Sequence, residues 1–136
     1  MMMDVDHVKL VNDTYGHPTG SHVLKECGHR IRHYLRYNDA AARYGGEEFI
    51  AYLPAADGAT ALACAERVRA GFEDRPFEHE HHRLAVTISI GISCFPEDGR
   101  DLDGLVREAD LRLYRAKKNG RNRVTGPGAE TAPPAS

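Results

Sequence analysis

Ala40-Ala41-Ala42-Arg43-Tyr44-Gly45-Gly46-Glu47-Glu48-Phe49-Ile50-Ala51-Tyr52-Leu53 holds two short runs, Ala40 to Tyr44 and Glu48 to Leu53, around Gly45-Gly46-Glu47. Glycine supplies the positive φ of tight turns, so this spacing predicts two antiparallel strands joined through the glycine pair. Upstream, Leu24, Cys27, Ile31 and Tyr34 recur at helical spacing within Gly20 to Leu35. Met1 to Asp6 is apolar and then acidic, as a strand ending at a sheet edge would be. Downstream, Asp57 is placed to cap a helix running to Phe72, with Leu62, Ala65, Val68 and Phe72 as its buried stripe. Leu84, Val86, Ile88, Ile90, Ile92 and Cys94 alternate with smaller or polar residues and form the clearest strand. Leu102, Leu105, Val106, Ala109, Leu113 and Ala116 predict a last helix from Leu102 to about Lys118, stopped by Asn119-Gly120.

The order β-α-β-β-α-β-α predicts an α+β fold: an antiparallel-rich central sheet with flanking helices, in the split βαβ arrangement of ferredoxin-like and palm folds. Right-handed crossovers run the first and second strands the same way, with the third antiparallel between them. Asp4 and Asp6 then lie at one sheet edge beside the hairpin turn that carries Glu47 and Glu48. Four converging carboxylates repel unless a cation or a substrate hydrogen bond compensates. Magnesium suits the set, because it takes carboxylate, carbonyl and phosphate oxygens. Solvated strand ends are the plainer reading of the same four residues, and Gly45-Gly46 reads equally as a turn or as room for a nucleotide beside the backbone.

The chain has 136 residues, 41% apolar and 28% charged, which suits one globular domain of about 100–200 residues. Lys and Arg total 18 against 20 Asp and Glu, a net charge of −2, which argues against coating nucleic acid or an anionic membrane. No apolar run approaches the roughly 18–20 residues that span a bilayer, and Met1-Met2-Met3-Asp4 is no signal peptide. Cys27, Cys64 and Cys94 are odd in number and far apart, so reduced, buried thiols in a cytoplasmic protein are expected, not a zinc site or disulfide frame. Thr125 to Ser136 lacks any large apolar residue; the domain is expected over 1–124 and a disordered tail over 125–136. His79, His81 and His82, with Glu78 and Glu80, are expected in a solvated loop.

Asp4-Val5-Asp6-His7-Val8-Lys9, Asn12-Asp13-Thr14-Tyr15-Gly16-His17 and Arg43-Tyr44-Gly45-Gly46-Glu47-Glu48-Phe49 resemble the GGDEF family of dinucleotide cyclases. Thr87-Ile88-Ser89-Ile90-Gly91, Ala109-Asp110 and Ala116-Lys117-Lys118-Asn119-Gly120-Arg121-Asn122 continue the resemblance in family order, over about residues 1–124. It implies a nucleotidyltransferase that condenses two GTP into cyclic di-GMP with release of pyrophosphate, each domain of a homodimer holding one triphosphate. By the same resemblance Asp4 and Glu47 ligate Mg2+ (or Mn2+) through carboxylates and Val5 through its carbonyl. Glu47 helps deprotonate the attacking hydroxyl, and Glu48 completes the acidic cluster. Lys9, Lys117 and Arg121 match positions that hold the β- and γ-phosphates, while Gly45 and Gly46 let the nucleotide approach. Without the resemblance, Lys117, Lys118 and Arg121 read as a cationic helix end favoured by the macrodipole.

Asn12 matches the guanine-reading asparagine, but its usual aspartate partner is replaced by Ser21. An ionised aspartate only accepts, which suits guanine and rejects adenine; a serine hydroxyl donates or accepts. The resemblance is therefore to the promiscuous branch, which uses ATP beside GTP and makes cyclic GMP-AMP, with Ser21 also read as the cap of the following helix. Arg36 and Asp39 match an R-x-x-D product-inhibition site and Arg67 a secondary contact to that product, Asp39 reading the guanine edge. The family's D-x-L-T-x-L-x-N-R segment and first helix do not precede this strand, so a truncated domain is expected, with no sensor domain. His7-Val8 replaces an aromatic pair. Two alternatives stand beside the cyclase: an idle receptor binding cyclic dinucleotide at Arg36 and Asp39, and an inactive fragment.

Overall fold

The computed structural model describes residues 1–128. Its main sheet has the order β2-β3-β1-β6-β7, built from β1 (Met2–Val5), β2 (Ala40–Arg43), β3 (Glu48–Tyr52), β6 (Ile88–Gly91) and β7 (Val124–Thr125). β3 lies antiparallel between β1 and β2, which therefore run the same way, as the crossover rule predicts. β1 also pairs antiparallel with β6, and β6 parallel with β7. The helices are α1 (Val8–Tyr15), α2 (His17–Tyr34), α3 (Gly58–Asp74) and α4 (Leu102–Lys118). A separate hairpin joins β4 (Phe77–His79) to β5 (His82–Leu84).

Asp57 caps α3 as expected, its carboxylate accepting from Thr60 N at 2.8 Å. Four other elements differ from expectation. The helix expected from Gly20 starts at His17, with Pro18 in its first turn, and Gly16 at φ 94° separates it from α1, which buries only Val8 and Val11. An eight-residue helix with two inward residues leaves almost no periodic signal. The α3 stripe is Ala61, Cys64, Ala65, Val68 and Phe72; Leu62 stands 43% exposed, one position round the helix. The long strand from Leu84 is divided: Leu84 belongs to β5, and β6 covers Ile88–Gly91 alone. The histidine-rich segment is a hairpin with His79 opposite His82, not an irregular loop.

Both faces of the central strands are covered. Met3, Val5, Phe49, Ile88 and Ile90 pack with Val23, Ile31, Val68 and Phe72 of α2 and α3. On the other face Met2 packs with Ala109 and Leu113 of α4. α4 lies so close to β6 that a Cβ on Gly91 would come 2.1 Å from the Ala109 carbonyl oxygen. That approach buries Ser89 and Gly91, so β6 is buried throughout although its sequence alternates.

Cys27 and Cys64 are buried and Cys94 half-buried, all free thiols; burial pushes the Cys27 thiol up to about 12. Thr125, expected as the first tail residue, pairs with Gly91 and is buried, and 129–136 of that segment lie outside the described residues. Among the described residues no helix is long and apolar enough to cross a membrane.

Candidate active site

Asp4 is the third residue of β1, opposite Glu48 on β3, and Val5 N donates to the Glu47 carbonyl at 3.1 Å. That backbone bond ties the end of β1 to the hairpin turn and brings the Glu47 carboxyl near enough to Asp4 to feel its charge. Burial, then the Asp4 charge, raises the Glu47 pKa above the usual carboxylate range, against the pull of the Lys117 ammonium. Lys117 Nζ reaches Asp4 Oδ2 at 2.5 Å from the last turn of α4. Glu48 folds back over Gly45.

The glycine turn is held by a residue that sequence reasoning passed over. Arg43 Nε donates to the carbonyls of Gly45 at 3.2 Å and Gly46 at 3.1 Å, and its Nη2 also bonds Gly46. Those two carbonyls precede Glu47, so Arg43 fixes the backbone from which the carboxylate projects. Its place two residues before the glycine pair was the available signal.

Asp6 does not join the acidic cluster. It is buried, and its carboxylate accepts from Thr87 Oγ1 and Ser89 Oγ at 2.8 Å and from Asn122 N at 3.1 Å. The convergence is thus of three acidic residues, Asp4, Glu47 and Glu48. Among the described residues no group of three or more His, Cys, Asp or Glu is arranged to hold a metal by itself. Two carboxylates and the Val5 carbonyl nevertheless fit a hard divalent cation, since magnesium commonly takes one or two carboxylates and completes its shell with substrate phosphates and water. The like-charge contact of Asp4 and Glu47, already partly offset by the Lys117 ammonium, is what such an ion would relieve.

Lys9 stands at the start of α1 with its side chain 91% exposed, 3.5 Å from Asp13. Arg121 is exposed in a left-handed turn just after α4, its N–H donating to the Ala116 carbonyl at 2.9 Å. Lys117 contacts Asp4; Lys9 follows β1 at the start of α1 and Arg121 follows the end of α4. Asn12 on α1 lies directly against α2: a Cβ on Gly20 would fall 1.7 Å from Asn12 Oδ1. Ser21 follows Gly20 and is exposed, but it lies inside α2, whose cap position is Gly16, so it is not the helix cap.

Arg36 and Asp39 form a closed clasp. Arg36 N, Nε and Nη2 all donate to the Asp39 carboxylate, and Nη2 also reaches the Pro54 carbonyl at 3.0 Å. The Asp39 side chain is fully buried, so its carboxylate is spent on Arg36 and does not present an edge to a base. Burial pushes its pKa up, but the Arg36 hydrogen bonds outweigh this and leave it below the usual carboxylate range. Arg67 is exposed on α3.

Comparison with known proteins agrees with this geometry. The profile of the family described as "Diguanylate cyclase, GGDEF domain" matches residues 1–123. Diguanylate cyclase A of Treponema denticola is 45% identical over 125 residues, covering 92% of this chain and 34% of that protein. The response regulator PleD of Caulobacter vibrioides is 42% identical over 131 residues, 95% of this chain and 29% of PleD. The chain therefore spans about a third of the length of these curated relatives. Among solved structures, the GGDEF domain of YfiN (TpbB) from Pseudomonas aeruginosa aligns with a TM-score of 0.87 at 34% identity, over 92% of this chain and 78% of that one. The GGDEF domain of DgcB from Caulobacter crescentus, solved with c-di-GMP, aligns with a TM-score of 0.84 at 34% identity, over 92% and 74%. An edge that joins Asp4 to the Gly45-Gly46-Glu47-Glu48 turn, on a sheet of this order and with relatives of this closeness, places the chain in the family of diguanylate cyclase GGDEF domains.

Proposed function

We propose that this domain condenses two GTP into cyclic di-GMP with release of two pyrophosphates, two copies facing each other with one triphosphate apiece. The observation that carries the reading is the meeting of Asp4 and Glu47, with Lys117 on Asp4, at the end of β1. Asp4, Glu47 and the Val5 carbonyl would hold Mg2+ or Mn2+, which when bound supplies positive charge where the α-phosphate gathers negative charge as pyrophosphate leaves.

The chain's own residues do the rest. Lys117, Arg121 and Lys9 grip the β- and γ-phosphates; loading moves the Lys117 ammonium from Asp4 to phosphate. Glu47, its carboxyl pushed up by burial and by Asp4, is suited to take the proton of the attacking 3′-hydroxyl, since a base works best with a pKa near the working pH. Glu48 keeps the turn acidic, and Gly45 and Gly46, clamped by Arg43, leave the backbone open to the nucleotide. Asn12 hydrogen-bonds the base. Ser21, exposed beside it, relaxes the choice between guanine and adenine, so GTP with ATP also yields cyclic GMP-AMP. At the inhibitory site Arg36 offers its exposed face to a guanine-containing product, Asp39 serves to hold it, and Arg67 adds a second cation.

Incubation with GTP, ATP and their mixture plus magnesium, with products identified by mass spectrometry, tests the reading. Cyclic di-GMP from the wild type and none from Glu47→Gln supports it. Absence of product from the wild type, with dinucleotide binding that Arg36→Ala abolishes, replaces it with a receptor. Ser21→Asp is expected to suppress the mixed product, and an unchanged ratio removes Ser21 from base choice.

A further inference from the structure

Asp6 looks from the sequence like part of the acidic cluster, yet all its hydrogen bonds lead elsewhere. Thr87 Oγ1, just before β6, and Ser89 Oγ, within it, anchor its carboxylate, and Asn122 N brings the segment after α4 onto it. That segment is conformationally expensive. Arg121 at φ 64° and Asn122 at φ 47° are consecutive non-glycine residues in the left-handed region, following Gly120 at φ 118°. Such a run persists only where surrounding contacts over-determine it. A second hold comes from α3, where Arg69 Nη1 donates to Asn122 Oδ1 at 3.0 Å while Glu66 and Glu73 fix the same guanidinium. The turn so pinned carries Arg121, four residues after Lys117.

We infer that Asp6, with Arg69, is a positioning residue for triphosphate binding. The pair locks the Arg121–Asn122 turn so that Arg121 stands at a fixed place relative to β1, the strand that bears Asp4. Asp6 acts through a backbone N–H and two hydroxyls and not as a metal ligand. The inference rests on the reading of Arg121 as part of the phosphate grip.

A positioning carboxylate and a metal ligand respond differently to substitution. In Asp6→Asn the amide oxygen still accepts from Asn122 N and Thr87, and the amide nitrogen donates to Ser89 Oγ, because a hydroxyl can reverse its role. In Asp6→Ala every one of these bonds is lost. The measurements, on the full chain, are KM and kcat for GTP, the magnesium requirement, and the affinity for inorganic tripolyphosphate by calorimetry.

Asp6→Ala and Arg69→Gln are each expected to weaken tripolyphosphate binding and raise KM by about tenfold with kcat changed much less. Asp6→Asn is expected to stay within about twofold of wild type with the same magnesium requirement. Neither Asp6→Ala nor Arg69→Gln should add to the loss already present in Arg121→Ala. Arg69→Gln, at a partly buried side chain of α3 outside the central sheet, keeps the test decisive if Asp6→Ala does not fold. A magnesium requirement shifted by Asp6→Asn, or a full additional loss in the Arg121→Ala background, overturns the inference. So does unchanged tripolyphosphate affinity in Arg69→Gln when Arg121→Ala weakens it. Unchanged affinity in Arg121→Ala itself overturns the phosphate-grip reading, and the inference with it.

Discussion

Lys117 and Asp4, 113 residues apart in sequence, meet at 2.5 Å where the end of α4 passes the end of β1. Asp4 is nearly buried and lies against Glu47, so the ammonium is the positive charge that steadies two carboxyls drawn together.

Lys117→Met is expected to leave Asp4 without that cation and to cost about 1–3 kcal/mol in the absence of divalent ions. Magnesium should then recover more stability in the variant than in the wild type, because it binds the folded acidic pair and takes over the charge. Urea denaturation at neutral pH with and without magnesium checks this; equal magnesium effects in both proteins would remove the cation site at Asp4 and Glu47.

Glu47→Gln is expected to abolish turnover and yet to raise the melting temperature. Burial and Asp4 raise the folded-state pKa of Glu47 above its ordinary 4.5, so ionising it opposes folding. That penalty is absent below the ordinary value and develops as pH rises through the raised one. The variant's advantage should therefore be full near pH 7 and vanish toward about pH 4. Thermal melts across that range decide it, and a variant less stable than wild type at neutral pH contradicts the like-charge account.

Gly20→Ala separates binding from stability. An added Cβ would overlap Asn12 Oδ1, but the far end of a side chain can swing away, so the fold survives. Alanine's helix preference of up to about 1 kcal/mol offsets much of the disturbance. The expected result is a near-normal melting temperature with a KM for GTP raised by about tenfold, since a lost base contact weakens binding. Steady-state kinetics beside calorimetry reads both, and an unchanged KM would take Asn12 out of base recognition.

Arg36→Ala strands the buried Asp39 carboxylate. Because Arg36 holds that carboxyl below its ordinary range, the stability it contributes is present above the ordinary carboxylate pKa and is lost as pH falls through the depressed one. The variant should be less stable than wild type at neutral pH and converge with it in acid, as followed by denaturation at each pH. Equal stability at neutral pH would show that the clasp is not what holds Asp39 in place.

The hairpin, the direction of its strands and the acidic edge were legible in the sequence because each depends on local signals: a glycine pair, alternation of apolar residues, and the handedness of crossovers. Gly45-Gly46 and the run from Ile88 to Ile92 needed no distant information. α1 was not legible, since two buried residues in eight make no period, and the Leu84 strand was overextended because alternation continues through a change of sheet. Leu62 stands at helical spacing from Ala65 and so reads as part of the buried stripe, whereas the helix phase set by Ala61 and Ala65 turns it outward.

The sequence by itself determined the family and the order of the main elements, because composition and spacing are properties of the chain alone. Only the tertiary structure decided what each charge faces: Asp4 meets Glu47 and Lys117, Asp6 turns to Asn122, and Asp39 closes on Arg36. The physical reason is that a carboxylate has the same charge and shape wherever it stands. Whether it holds an ion, pins a turn or orients an arginine depends on which donors the packing of distant segments brings within hydrogen-bonding reach.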